Sequence, residues 1–231
     1  MKSRLVKDEK GSALIYILIA IALLALLTTT FMESSSQQTQ SQNSFKMVSE
    51  LSNQAELIRA AVQECVLYNP GGDINTIPAV NTNNPYPISP KATYFTSNCP
   101  ADPADTDINV THLRCPGKPG DNACHLPIFT AASGKFLPQP PALFGAWQWY
   151  NGADGVFFWI GSSKSDAFIQ TALEKLDEQY AGCEADTINA SASDIVMSSD
   201  DADIKCPSGS RCFRLWMVRK AGSKPTDAAC P

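Results

Sequence analysis

The chain has 231 residues, 44% of them hydrophobic and 18% charged, with a formal net charge of −5. That length supports one full-sized core, and the acidic balance argues against bulk binding to nucleic acid. With only two histidines, His112 and His125, and with no Gly-x-Ser-x-Gly, Ser-x-x-Lys or glycine-rich phosphate-loop pattern, the chain offers no recognisable serine-hydrolase or nucleotide-binding constellation.

Residues 1–11 are a short charged leader. Lys2, Arg4, Lys7 and Lys10 face Asp8 and Glu9, a net of +2 that favours the cytoplasmic side of a membrane. From Ser12 to Met32, 21 residues carry no charge, no Gly and no Pro. As a helix rising about 1.5 Å per residue they reach about 30 Å, one bilayer core. A cleavable secretory signal has a shorter apolar core and a small-residue cut site after it, and neither is found here. An uncleaved anchor fits the run by length alone.

Residues 33–44 are polar and low in complexity, which suits either a solvated stalk or a helix that needs neighbours. Beyond them Val48, Leu51, Ala55, Ile58, Val62 and Cys65 recur at alternating spacings of three and four, a one-sided helical stripe. No Gly or Pro interrupts the chain from Ser12 to Asn69, and Asn69-Pro70-Gly71-Gly72 stops it, so the helix is expected to run to about Leu67.

The Lys10-Gly11 junction, the apolar stretch that starts at once with Ser12-Ala13-Leu14, and the helix that continues past it resemble the N-terminus of a type IV prepilin or a type II secretion pseudopilin. The resemblance covers roughly residues 1–67. It implies cleavage after Gly11 by prepilin peptidase and methylation of the new amine of Ser12. It also implies an inner-membrane anchor with the head in the periplasm, and partners that are other pilin or pseudopilin subunits. Most members of that family carry Glu at the fifth mature position, where the carboxylate is thought to meet a neighbouring subunit's amine during assembly. Here that position is Tyr16, as in a few minor subunits at filament tips. The resemblance thus implies a structural subunit with a tip or initiating role, not an enzyme. In this reading residues 1–11 are leader, 12–32 the membrane and filament-core helix, 33–67 the continuing helix and 68–231 the head.

Within the head, residues 70–141 are rich in Pro, Asn and Asp, and Pro85-Tyr86-Pro87-Ile88-Ser89-Pro90 is incompatible with helix. Loops and short strands are expected there, held by cystines. Ala142–Tyr150 and Val156–Ile160 flank Asn151-Gly152-Ala153-Asp154-Gly155, a hairpin with a five-residue turn. Its seven aromatics, Phe144, Trp147, Trp149, Tyr150, Phe157, Phe158 and Trp159, should make most of the core, with one or two left for an interface. Ser165–Ala181 reads as a helix begun by Ser165 or Asp166 and ended by Gly182, with Phe168, Ile169, Leu173, Leu176 and Tyr180 on its apolar face. An acidic loop follows. Arg211–Lys220 then reads as a strand entered through Cys206–Cys212, after a strand that ends near Ile204. The expected fold is α+β: a long N-terminal helix, membrane-spanning then amphipathic, packed on a small antiparallel sheet with disulfide-stapled loops.

Cys65, Cys99, Cys115, Cys124, Cys183, Cys206, Cys212 and Cys230 all follow the apolar run. An even count beyond a membrane suggests up to four disulfides among 105 possible connectivities. No Cys-x-x-Cys occurs, so a zinc cage at Cys124-His125 lacks ligands. Pilin-like heads carry a cystine-stapled loop near the C-terminus, which Cys206, Cys212 and Cys230 loosely resemble.

Two acidic clusters are candidate calcium ligands, Asp102, Asp105 and Asp107, and Asp194, Asp200, Asp201 and Asp203. Neither has EF-hand spacing, so solvated loops and no cofactor are the default. Among the basic residues near the C-terminus, Arg211, Arg214, Arg219, Lys220 and Lys224, Arg214 and Trp216 share one strand face. With Arg219 they suggest a nucleic-acid contact by stacking and charge, or pairing with the acidic loops. The functional alternatives are a bitopic inner-membrane protein with a disulfide-rich periplasmic binding head, or a pilus-borne adhesin or DNA receptor.

Overall fold

The computed structural model describes residues 10–72, 81, 83–91, 107–116 and 125–223, without the side chains of 10–13 and 29–41. The leader residues 1–9, Cys99, Cys124, Cys230, Asp102, Asp105 and Lys224 lie outside the described residues, as do the side chains of Gly11 and Ser12. The chain forms two compact units, residues 1–43 and 44–231.

Helix α1 runs from Lys10 to Tyr68. Its end follows from its sequence. The Asn69 backbone N–H and its Nδ2 both donate to the Cys65 carbonyl, at 3.1 and 3.3 Å, and Gly72, with φ +60°, donates back to the Asn69 carbonyl. Those bonds satisfy carbonyls that the last turn leaves open. In the second unit every residue of the six-membered stripe, Val48, Leu51, Ala55, Ile58, Val62 and Cys65, is buried.

The head is α+β. Its main sheet is antiparallel with order β3-β4-β8-β5, built from β3 (Gln148–Gly152), β4 (Gly155–Ser162), β8 (Ser210–Arg219) and β5 (Ala185–Ala190). Two small antiparallel pairs accompany it: β1 (Arg114–Cys115) with β2 (Leu126–Pro127), and β6 (Ile195–Val196) with β7 (Lys205–Cys206). Helix α2 (Ala167–Asp177) and α1 cover one sheet face, against Trp147, Trp149, Phe158, Ile160, Phe213 and Leu215.

The other sheet face carries Tyr150, Phe157, Trp159 and Trp216 beneath Met197, Ile204 and Cys206. Six of the seven hairpin aromatics are therefore buried, and Phe144 is half-buried. The expectation of one or two outward rings assumed a sheet covered on one side. Burial on both sides lets alternate strand residues all be apolar.

Four boundaries differ from expectation. The hairpin turn is Ala153-Asp154 alone, because Asn151 pairs with Val156 and Gly152 with Gly155. Gly155 takes φ +125°, and a Cβ there would sit 2.2 Å from the Val218 carbonyl oxygen, so backbone packing requires glycine. Residues 142–147 precede the strand rather than belong to it. Helix α2 stops at Asp177, short of Gly182, and its N-cap Asp166 makes no side-chain capping bond. Finally, the segment read as an acidic loop contains β5, whose Asp186 pairs in register with Arg214.

Cys65 is bonded to Cys115, tying the end of α1 to β1, and Cys206 to Cys212, tying β7 to β8; Cys183 is also disulfide-bonded. Bridges of these two loop lengths each stabilise by roughly 2–4 kcal/mol.

Candidate functional site

The surface that most needs a partner is on the first unit. In α1, Leu14, Ile15, Tyr16, Ile17, Leu18, Ile19, Ile21, Leu23, Leu24, Leu26 and Leu27 are all more than half exposed, Ile19 least at 51% and Tyr16 most at 69%. Consecutive residues on a 3.6-residue helix point all round it, so the apolar surface has no polar face. Ten of these side chains are Leu or Ile. At about 1–2 kcal/mol for the part of each still exposed, covering them is worth on the order of 10–20 kcal/mol. Tyr16 stands among them, with no carboxylate anywhere in 14–28. The described side chains cover only 14–28 of the 12–32 run, and among the described residues no helix is long and apolar enough to cross a membrane.

The basic-aromatic face proposed for nucleic acid is a buried one, which corrects that reading. Arg214 is 0% exposed and Trp216 3%. Arg214 sits between Trp159 on β4 and Asp186 on β5, its cross-strand neighbours. Its Nε donates to Asp186 Oδ1 at 2.9 Å, its Nη2 to Asp186 Oδ2, and its Nη1 to the Met197 carbonyl at 3.2 Å. The guanidinium also lies 4.4 Å from the Trp216 ring centroid and 5.0 Å from that of Phe157. A forked, planar cation fills such a place better than lysine would. Arg219 is half-buried, its guanidinium 5.5 Å from the Trp216 ring centroid. Neither Arg214 nor Trp216 can reach a base or phosphate from there. Residues 185–190 hold one carboxylate, Asp186, and the pairing of β5 with β8 sets it opposite this arginine.

Of the aspartates proposed for calcium, Asp107, Asp194, Asp200, Asp201 and Asp203 serve different contacts. Asp200 accepts from the hydroxyls of Tyr150 and Ser198 and from the Ala153 N–H at 2.9 Å. Burial pushes its carboxyl up, but these hydrogen bonds outweigh that and hold it below its ordinary value. Burial, helped by the same hydrogen bond to Asp200, pushes the Tyr150 phenol far up. Asp201 accepts from the Asp203 N–H at 2.9 Å. Asp203 points to Lys91, 3.9 Å away. Asp201, Asp203, Asp107 and Lys91 line a cleft of about 430 Å³ with Ser89, Ile108 and Ile204. Asp107 is already bonded to His112 Nδ1 at 2.7 Å and to the Asn109 amide. Asp194 pairs with Lys205 at 2.7 Å. Among the described residues no three His, Cys, Asp or Glu side chains are grouped to hold a metal.

A second cleft, of about 630 Å³, lies between Glu50, Asn53, Gln54 and Leu57 of α1 and the segment 138–142. Gln54 closes its inner side, accepting from Trp147 Nε1 at 2.8 Å and donating to the Gln139 carbonyl at 2.9 Å. Sequence reasoning passed over Gln54 because a polar residue beside an apolar stripe reads as solvent-facing.

No protein-family model, no curated protein and no solved structure matches this chain.

Proposed function

We propose that the chain is a minor pilin or pseudopilin, a structural subunit of a type IV pilus or type II secretion pseudopilus. The observation that supports this is α1: one unbroken helix that is apolar and exposed on every side at 14–28 and becomes the buried spine of an α+β head by Met47. A helix of that kind is stable only in an apolar surrounding. In this reading prepilin peptidase removes residues 1–11 and the amine of Ser12 is methylated. The 12–32 run then holds the subunit in the inner membrane, with the head in the periplasm, until assembly moves it among other subunits' helices. Lipid and packed helices are equally apolar, so the transfer need not cost the 10–20 kcal/mol that exposure to water would. Tyr16, in place of the usual carboxylate, leaves the amine of the next subunit without its ion-pair partner. That suits a tip or initiating subunit, which has no subunit to receive on that side.

A photo-crosslinking side chain placed at Leu18 tests the reading in cells. With the assembly machinery active, crosslinks to other pilin-type subunits are expected; with it disabled, crosslinks to lipid alone. Lipid crosslinks in both states would favour the bitopic anchor with a binding head.

A further inference from the structure

The aromatic sheet face of Tyr150, Phe157, Trp159 and Trp216 takes its cover from the segment 191–206. That segment is attached differently from the four strands it covers. Its strands β6 and β7 pair with each other, Ile195 with Cys206 and Val196 with Lys205, and form a sheet apart from the four-stranded one. Its hold on the rest comes from side chains. Met197 and Ile204, 0% and 3% exposed, plug the face. The Ser199 N–H and Oγ bind the Asp154 carboxylate, the latter at 2.9 Å, and Asp200 accepts from Tyr150 and Ala153. Arg214 donates to the Met197 carbonyl. The main chain joins it to β5 at Ala190 and to β8 through 207–209, and Cys206–Cys212 adds a cross-link to β8, with both cysteines 0% exposed.

Segments with few ladder hydrogen bonds to their neighbours open at lower free energy than the sheet they cover. We propose that residues 191–206 form a latched strap. It opens as one unit ahead of the rest of the head, Cys206–Cys212 is its latch, and opening uncovers the four-ring face. Because both sulfurs are buried, a thiol reaches them only after the strap lifts. A dithiol reductant then attacks one sulfur, forms a mixed disulfide and releases the other cysteine as a thiolate. Its second thiol displaces the first cysteine. Two cysteine thiols and the cyclic oxidised reagent result, with two electrons and two protons transferred. Without the latch, the strap is held only by its plugs and its polar contacts.

The test uses the full chain in detergent micelles. In wild type, amide exchange by mass spectrometry should be faster for the bond from Met197 N–H to the Ile204 carbonyl than for the β4–β8 ladder. Equal protection of the two would overturn the proposal without any variant. In dithiothreitol under native conditions, reduction is followed by alkylation at Cys206–Cys212 and at Cys65–Cys115. Met197→Ala removes a plug, and should speed reduction of the first pair by about tenfold or more while leaving the second unchanged. An unchanged first pair, or the same acceleration at both, means that the latch opens only with the whole head, and overturns the proposal. Should Met197→Ala fail to fold, Asp200→Asn supplies the same comparison with the polar contact removed and the plug intact.

Discussion

Replacing Asp186 by Ala removes the carboxylate that holds the buried Arg214 guanidinium in a fork. Arg214 is 0% exposed, and two of its hydrogen bonds end on that one carboxylate, whose side chain is itself only 15% exposed. Of its other contacts described above, the Met197 carbonyl and the two ring faces carry no formal counter-charge. Removing one partner of a buried pair typically costs about 3–5 kcal/mol. For a head of this size, at roughly 2–4 °C per kcal/mol, Tm should fall by about 6–20 °C. Arg214→Met in the same background removes the buried charge and keeps most of the volume. The double variant should return to within about 2 kcal/mol of wild type, as apolar replacements of buried pairs do. Urea unfolding with the cystines intact, followed by tryptophan fluorescence, measures each corner of the cycle. A loss below about 1 kcal/mol for Asp186→Ala, or additive single losses, would refute the reasoning and return Arg214 to a solvated, available position.

Three further outcomes follow from the head's geometry. Gly155→Ala should destabilise by about 2 kcal/mol or more in a thermal melt, from φ +125° and the contact with Val218, whereas Gly182→Ala, whose added Cβ meets nothing within 4 Å among the described residues, should stay within about 0.5 kcal/mol. Leu51→Ala, at a 0% exposed position on the α1 stripe, should cost about 2–5 kcal/mol by denaturant titration. Asp200 has a lowered folded pKa, so the stability it supplies is fully present above its ordinary value near 3.8 and is lost as pH falls below that, through the folded value. An acid titration of wild type should therefore lose protection at the strap amides in that range, and Asp200→Asn should remove this part of the slope; an unchanged slope would count against the assignment.

Much of the head was legible because local signals agreed with one another. The α1 stripe, its stop at Asn69-Pro70 and the β8 strand rest on periodicity and turn chemistry, which need no tertiary knowledge. What escaped depends on partners distant in sequence. Arg214 reads as a surface charge until Asp186, 28 residues earlier, is placed beside it. Residues 185–190 carry three polar side chains, so their strand is visible only through pairing with β8. Gln54 reads as a polar residue on a solvated face, yet it bonds Trp147, 93 residues away. The acidic clusters were hard to read for a related reason. Spacing in a loop does not say which carboxylates are already taken, and Asp200 is taken by Tyr150.

The central claim is that α1 belongs to a processed, filament-type subunit. The mature N-terminus tests it most directly, by intact mass and N-terminal peptide mass of the chain extracted from membranes of its own host. The account predicts a chain that starts at Ser12 and is heavier by one methyl group. An intact Met1 would leave a plain membrane anchor, and a start beyond residue 30 would mean that the apolar helix is discarded, which contradicts the account outright.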